Sequence, residues 1–226
     1  VEFSGISNAD FLIVGTFNGI NDYYGIFATI QMVDILDGSV ISTASLDGQI
    51  SKKNVAITSG CNQAFCAAIT ALTDENDEVI IPTPWYFNHH MWLQMAGVKT
   101  VPLETDGNMS PIVEKARALI TKKTRAIVLV SPNNPSGCVY SNDILQKFFD
   151  LCRSNNLHLI LDETYKDFHP RASKPHDLFE NNDWDSTLTV LYSFSKNYRM
   201  TGHRVGALLT SNQNLWEVEK VLDTFT

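Results

Sequence analysis

The 226 residues, 44% of them hydrophobic, suffice for one large domain with a substantial core, or for one such domain and a small piece of another. A net charge of −8 argues against a basic nucleic-acid-binding surface, and no apolar run is long enough to span a bilayer. No basic stretch followed by an apolar one reads as a secretory signal, and Cys61, Cys66, Cys138 and Cys152 form neither a Cys-x-x-Cys pair nor a zinc-like spacing with histidine, so reduced thiols in a cytoplasmic protein without a metal site are expected.

Residues 1–51 are written differently from the rest. They hold six acidic side chains, Glu2, Asp10, Asp22, Asp34, Asp37 and Asp47, and no Lys or Arg, so −6 of the −8 lies there. Phe11–Val14 and Phe27–Leu36 read as apolar elements, broken by Gly, Asn and Asp at 18–22 and 37–38. An atypical N-terminal segment over 1–51 and a second domain over 52–226 are the expected divisions.

From residue 55 onward short β-rich runs alternate with amphipathic stretches. A strand over 55–58 ends at Ser59-Gly60, and a helix is expected over 62–73. A strand over 79–81, stopped by Pro82 and Pro84, leads to a helix over 86–96 closed by Gly97. A strand over 99–103 precedes a helix over 111–121, whose first turn suits Pro111. Ala126–Val130 is a fully apolar strand followed by the loop Ser131–Gly137, then a helix over 142–155 ended by Asn155-Asn156. Strands over 157–161, 189–192 and 205–209 and a closing helix over 212–224 complete the pattern. Such alternation, with near-continuous apolar strands, predicts an α/β fold: a mostly parallel sheet with helices on both faces. In such sheets ligands sit beyond the carboxyl ends of the strands, where Gly60, Tyr86, Asn134, Asp162 and Ser193 to Lys196 fall.

Three blocks carry a resemblance: Ser131-Pro-Asn-Asn-Pro-Ser-Gly137, Leu159-Ile-Leu-Asp-Glu-Thr-Tyr165, and Ser193-Phe-Ser-Lys-Asn-Tyr-Arg-Met-Thr-Gly-His-Arg204. With them residues 55–210 resemble the large domain of fold-type I pyridoxal-phosphate enzymes, in the class I/II aminotransferase group. The resemblance implies that pyridoxal 5'-phosphate is the cofactor and that Lys196 forms the Schiff base and shuttles the substrate's proton. It implies that Asp162 keeps the ring nitrogen protonated, as a nearby carboxylate does for a cation. Tyr165 and Asn134 would hydrogen-bond the cofactor's 3′-oxygen, and Tyr86 would stack on its ring. Cys61 and Asn62, opening a helix, match the phosphate-binding positions, with Ser193 and Arg204 as further anchors. Read from the residues alone, Lys196 also suits a solvated surface, Asp162 a helix N-cap, Asn134 a turn before Pro135, and Tyr86 and Tyr165 the core. Trp85, His89 and His90 stay open between lining a site and facing helices or solvent.

Amino transfer between an amino acid and a 2-oxo acid is the function the resemblance implies, in a homodimer that contacts neither nucleic acid nor membrane. A lyase or decarboxylase on the same fold, or a non-catalytic domain that keeps the cofactor, are the alternatives. The resemblance also leads us to expect a chain shortened relative to the family, without the C-terminal small domain and its carboxylate-gripping arginine. Within Tyr23-Tyr24-Gly25, Tyr24 is the better match for the tyrosine that reaches a neighbouring subunit's phosphate.

Overall fold

The computed structural model describes residues 11–18, 27–34, 40–46, 54–171 and 174–223. Two compact units divide the chain, Val1–Lys53 and Asn54–Thr226. In the first, strands β1 (Phe11–Asn18), β2 (Phe27–Asp34) and β3 (Val40–Leu46) form an antiparallel meander in that order, with β1 running Phe11 opposite Asp34 to Asn18 opposite Phe27. The apolar elements expected at 11–14 and 27–36 fall on β1 and β2. β3 has no counterpart in the sequence reading, because Val40-Ile-Ser-Thr-Ala-Ser-Leu46 gives only a thin apolar signal. Tyr24 lies outside the described residues.

The second unit is built on a seven-stranded sheet. Its strands are β4 (Val55–Thr58), β5 (Glu78–Thr83), β6 (Lys99–Glu104), β7 (Thr124–Val130), β8 (His158–Asp162), β9 (Leu188–Ser193) and β10 (Gly206–Leu209), in the order β4-β10-β9-β8-β7-β5-β6. The pairs among β5 to β9 are parallel; β10 runs antiparallel to both β9 and β4. The helices are α1 (Cys61–Leu72), α2 (Phe87–Met95), α3 (Val113–Leu119), α4 (Asn142–Ser154) and α5 (Asn212–Asp223).

Why these strands read as unbroken apolar runs is plain from the packing. Successive strand side chains point to opposite faces. Val79, Ile81, Ala126, Val128, Ile160, Leu191 and Leu208 share one cluster with Ala64, Phe65, Ala68 and Ile69 of α1. The intervening Ile80, Ile127, Leu129, Leu159 and Leu161 are fully buried as well, so water is excluded from both faces. Helix α4 starts on Ser141, whose hydroxyl accepts the Ile144 N–H, and buries Leu145, Phe148, Phe149 and Cys152. Two boundaries differ from expectation. Pro82 does not stop its strand: β5 runs through it to Thr83, with Pro82 opposite Leu103 and Thr83 opposite Glu104 of β6. Pro111 is not in the first turn of α3: it pairs with Thr105 in a short bridge, and the helix begins two residues later, after Ile112. Pairing of the extended backbone at Pro111 took precedence over the residue's fitness for a helix start.

Candidate active site

The register of the sheet gathers the site. Val130 lies opposite Asp162, and Asp162 opposite Leu191, so β7 and β8 end together and β9 runs two residues further, to Ser193. Because β10 is antiparallel, its first residue, Gly206, sits between Ser193 and Thr58, the last residues of β9 and β4. Arg204 therefore enters at the same edge as α1 begins. All nine residues singled out in the sequence, Cys61, Asn62, Tyr86, Asn134, Asp162, Tyr165, Ser193, Lys196 and Arg204, line one cavity of about 620 Å³. Phe87, Val130, Thr164, Ser195 and Thr201 complete its wall.

At one end the cavity offers an acceptor. Asp162 is 3% exposed. Its Oδ2 lies 3.1 Å from His89 Nε2, and its Oδ1 accepts the Thr164 N–H at 2.9 Å. Burial pushes its pKa up, but His89 and Thr164 outweigh that and hold it below the ordinary carboxylate value. Asp162 therefore stays ionised beside the cavity. Tyr86 caps the start of α2, and His89, three residues on, packs edge-on to it at 5.2 Å and stacks on Phe65 at 4.0 Å. Of Trp85, His89 and His90, which the sequence leaves open, His89 is the one that meets a site residue; its three-residue spacing from Tyr86, which puts both on one helix face, is the available signal. His90 instead meets Thr100 at 2.9 Å and stacks on Trp85, and neither residue lines the cavity.

At the other end the cavity offers donors. The guanidinium of Arg204, a residue in left-handed backbone at φ 52°, donates to Thr201 O at 3.1 Å and Ser59 O at 3.4 Å. It lies over Gly60, where an added Cβ would sit 2.2 Å from Arg204 Nη2 and where φ is 84°. Gly206 approaches the same turn so closely that a Cβ there would be 2.6 Å from the Gly60 carbonyl carbon and 2.8 Å from the Cys61 nitrogen. Backbone cannot yield as a flexible side chain can, so Gly206→Ala should cost about 1–3 kcal/mol of stability, read from denaturant unfolding. Ser193 accepts the Ser195 N–H through its hydroxyl at 3.2 Å, and the Thr201 hydroxyl donates to Ser195 O at 3.0 Å. The thiol of Cys61 is held protonated, pushed well up by burial and by the charge of Asp162.

Local hydrogen bonds fix the remaining side chains. Asn133 Oδ1 accepts both the N–H and the hydroxyl of Ser136, at 3.1 and 2.7 Å, which closes the loop that carries Asn134. Beside its backbone hydrogen bonds, the turn bearing Tyr165 is held by side-chain contacts on either side. Tyr192 donates its hydroxyl to Asp167 at 2.5 Å. Buried His176 Nε2 lies 3.2 Å from Glu163 Oε1, near enough for an ion pair though not aligned as a hydrogen bond.

The residues present fit pyridoxal phosphate. A helix N-terminus, hydroxyls and a guanidinium suit the dianion at one end, and an ionised buried carboxylate suits a protonated ring nitrogen at the other. Among the described residues no group of three or more His, Cys, Asp or Glu is placed to hold a metal ion, and no helix is long and apolar enough to cross a membrane.

Comparison with known proteins adds an independent line. The family model described as aminotransferase class I and II matches residues 42–225. The chain is 32% identical to a probable aspartate aminotransferase of Methanocaldococcus jannaschii, over 77% of this chain and 44% of that one. It is also 32% identical to the glutamate-pyruvate aminotransferase AlaA of Haemophilus influenzae, over 69% of this chain and 39% of that one. The crystal structure of aspartate aminotransferase from Thermotoga maritima superimposes with a TM-score of 0.72 at 31% identity, covering 77% of this chain and 47% of the other. The chain thus spans less than half the length of these relatives.

Proposed function

This chain belongs to the class I and II aminotransferase family, and from that premise we propose that it supplies the cofactor-binding domain of an enzyme that transfers an amino group between an amino acid and a 2-oxo acid. Enzymes of this family use pyridoxal phosphate. The observation that carries the reading is the placement of Lys196 in one cavity with the buried, ionised Asp162 and with Arg204 at the start of α1.

Bound there, the cofactor supplies an electron sink for the negative charge that develops at the substrate's α-carbon. Lys196 Nζ would hold the cofactor and would move the proton at the substrate's α-carbon. Asp162 keeps a proton on the ring nitrogen; His89 holds the carboxylate in position. Arg204, Ser193 and the backbone N–H groups at Cys61 and Asn62 take the phosphate. Tyr165 and Asn134 would hydrogen-bond the phenolic oxygen, and Tyr86 would stack on the ring. The reading extends to a cytoplasmic homodimer working in a biosynthetic process. The four free thiols of Cys61, Cys66, Cys138 and Cys152 support a reducing compartment.

The test is chemical. The intact protein is incubated with pyridoxal phosphate, reduced with borohydride and digested beside a Lys196→Ala control. A mass gain of one reduced cofactor on the Lys196 peptide, absent from the control, is expected. Mass on another lysine, or on none, overturns the assignment. Product analysis separates the reaction types: pyruvate and ammonia released from one amino acid without a 2-oxo acid acceptor means a lyase.

A further inference from the structure

Phe87 is a large apolar side chain left 60% exposed at the wall of the cavity. It is the first residue of α2, directly after the Tyr86 cap, so the backbone that carries it is fixed by the helix. Its ring lies 5.2 Å from that of Tyr86, tilted by 60°. Two aromatic rings thus stand side by side at the site, one assigned to the cofactor and the other without a role. Apolar walls with a few placed polar groups are what binding cavities use to hold the apolar part of a ligand.

Charge points the same way. The cations among the described lining residues are Lys196 and Arg204. Arg204 is held over Gly60 by the carbonyls of Ser59 and Thr201, and Lys196 is needed for the cofactor. Helix α2 carries neither Lys nor Arg, and its two histidines are engaged, His89 by Asp162 and His90 by Thr100 and Trp85. A substrate side chain that ended in a carboxylate would meet a ring at Phe87 and no free cation on this helix. One that ended in an aromatic ring, a thioether or a branched chain would cover the exposed face of Phe87.

We infer that Phe87 sets the side-chain preference of the amino-acid substrate, favouring large apolar side chains over acidic ones. The inference rests on the amino-transfer reading above. An apolar wall discriminates between side chains by about tenfold or more, while contributing little to the smallest ones. Exposed Met91 and Met95, one and two turns further along α2, extend the same stripe, so the test also reads oligomeric state.

The experiment compares the intact holoenzyme with its Phe87→Ala and Phe87→Leu variants. kcat/KM is measured for phenylalanine, methionine, alanine and aspartate, and binding of the unreactive 3-phenylpropanoate and succinate is measured by calorimetry. The wild type is expected to prefer phenylalanine to aspartate and 3-phenylpropanoate to succinate, each by about tenfold or more. Phe87→Ala should lose about tenfold for phenylalanine and for 3-phenylpropanoate while alanine changes by less than about twofold, and Phe87→Leu should fall between. A preference of the wild type for aspartate and succinate, or equal losses for phenylalanine and alanine, overturns the inference and leaves amino transfer standing. So does a shift in sedimentation of Phe87→Ala with unchanged selectivity, which assigns the ring to a contact between copies. If borohydride still fixes the cofactor to Lys196 but no amino acid reacts, amino transfer itself fails and takes this inference with it.

Discussion

Replacing Lys196 with alanine is expected to lower kcat for amino transfer by at least about 10⁴-fold, the upper end of what one positioned acid–base group supplies. The cofactor should nevertheless stay bound. Arg204 over the start of α1, the Ser193 hydroxyl and the ionised Asp162 are untouched by the change, and they account for the non-covalent hold on both ends. Lys196→Arg should do no better than alanine, because a guanidinium keeps its charge and cannot take up a proton from carbon. Small primary amines added to Lys196→Ala should restore part of the rate, since an untethered amine can replace the base and lacks only the positioning. Steady-state rates and cofactor content measured on the same preparations check this. A Lys196→Ala enzyme that keeps a tenth of its activity would put the proton transfer elsewhere.

The parts of this site that could be read in the sequence are those whose geometry follows from strand ends. Asp162 and Ser193 directly follow apolar runs, and Asn134 comes four residues after Val130, so a correct reading of the strands places them at the sheet's carboxyl edge. Lys196 and Arg204 were reached through the motif spacing; that Arg204 returns to α1 depends on β10 running antiparallel between β9 and β4, which no local pattern announces. His89 was hidden for a similar reason. Its partner is 73 positions away in the chain, and the pairing exists only because α2 packs its first turn against the end of β8. Cys61 matches a phosphate position through its backbone, but that burial and Asp162 keep its thiol protonated follows only from the fold. In the first unit, β1 and β2 are legible as apolar runs, whereas the middle of β3, Ser42-Thr-Ala-Ser45, is small and mostly hydroxylated and carries little signal.

The second large effect is expected at Asp162. Asp162→Asn keeps the shape and the acceptor for the Thr164 N–H but removes the charge, and kcat should fall about 10²–10³-fold, the usual loss when one placed electrostatic partner is removed. Stability should change with pH in a defined direction. The folded carboxyl has its pKa depressed below the unfolded value of about 3.9, because His89 and Thr164 outweigh the effect of burial. A depressed pKa means that the stabilisation is fully present above the unfolded value and is lost as pH falls through the folded one. The gap in unfolding free energy between wild type and Asp162→Asn should therefore be constant near neutrality and close at acid pH. Asp162→Ala should be worse at neutral pH, by about 1–3 kcal/mol, because it leaves His89 Nε2 without its acceptor in a residue that is 1% exposed and whose Nδ1 already lacks a partner. Denaturant unfolding of the three proteins from pH 7 down to pH 3 checks both statements. A gap that widened on acidification would mean that Asp162 is protonated in the folded protein, and a protonated carboxyl could not hold a cationic ring nitrogen.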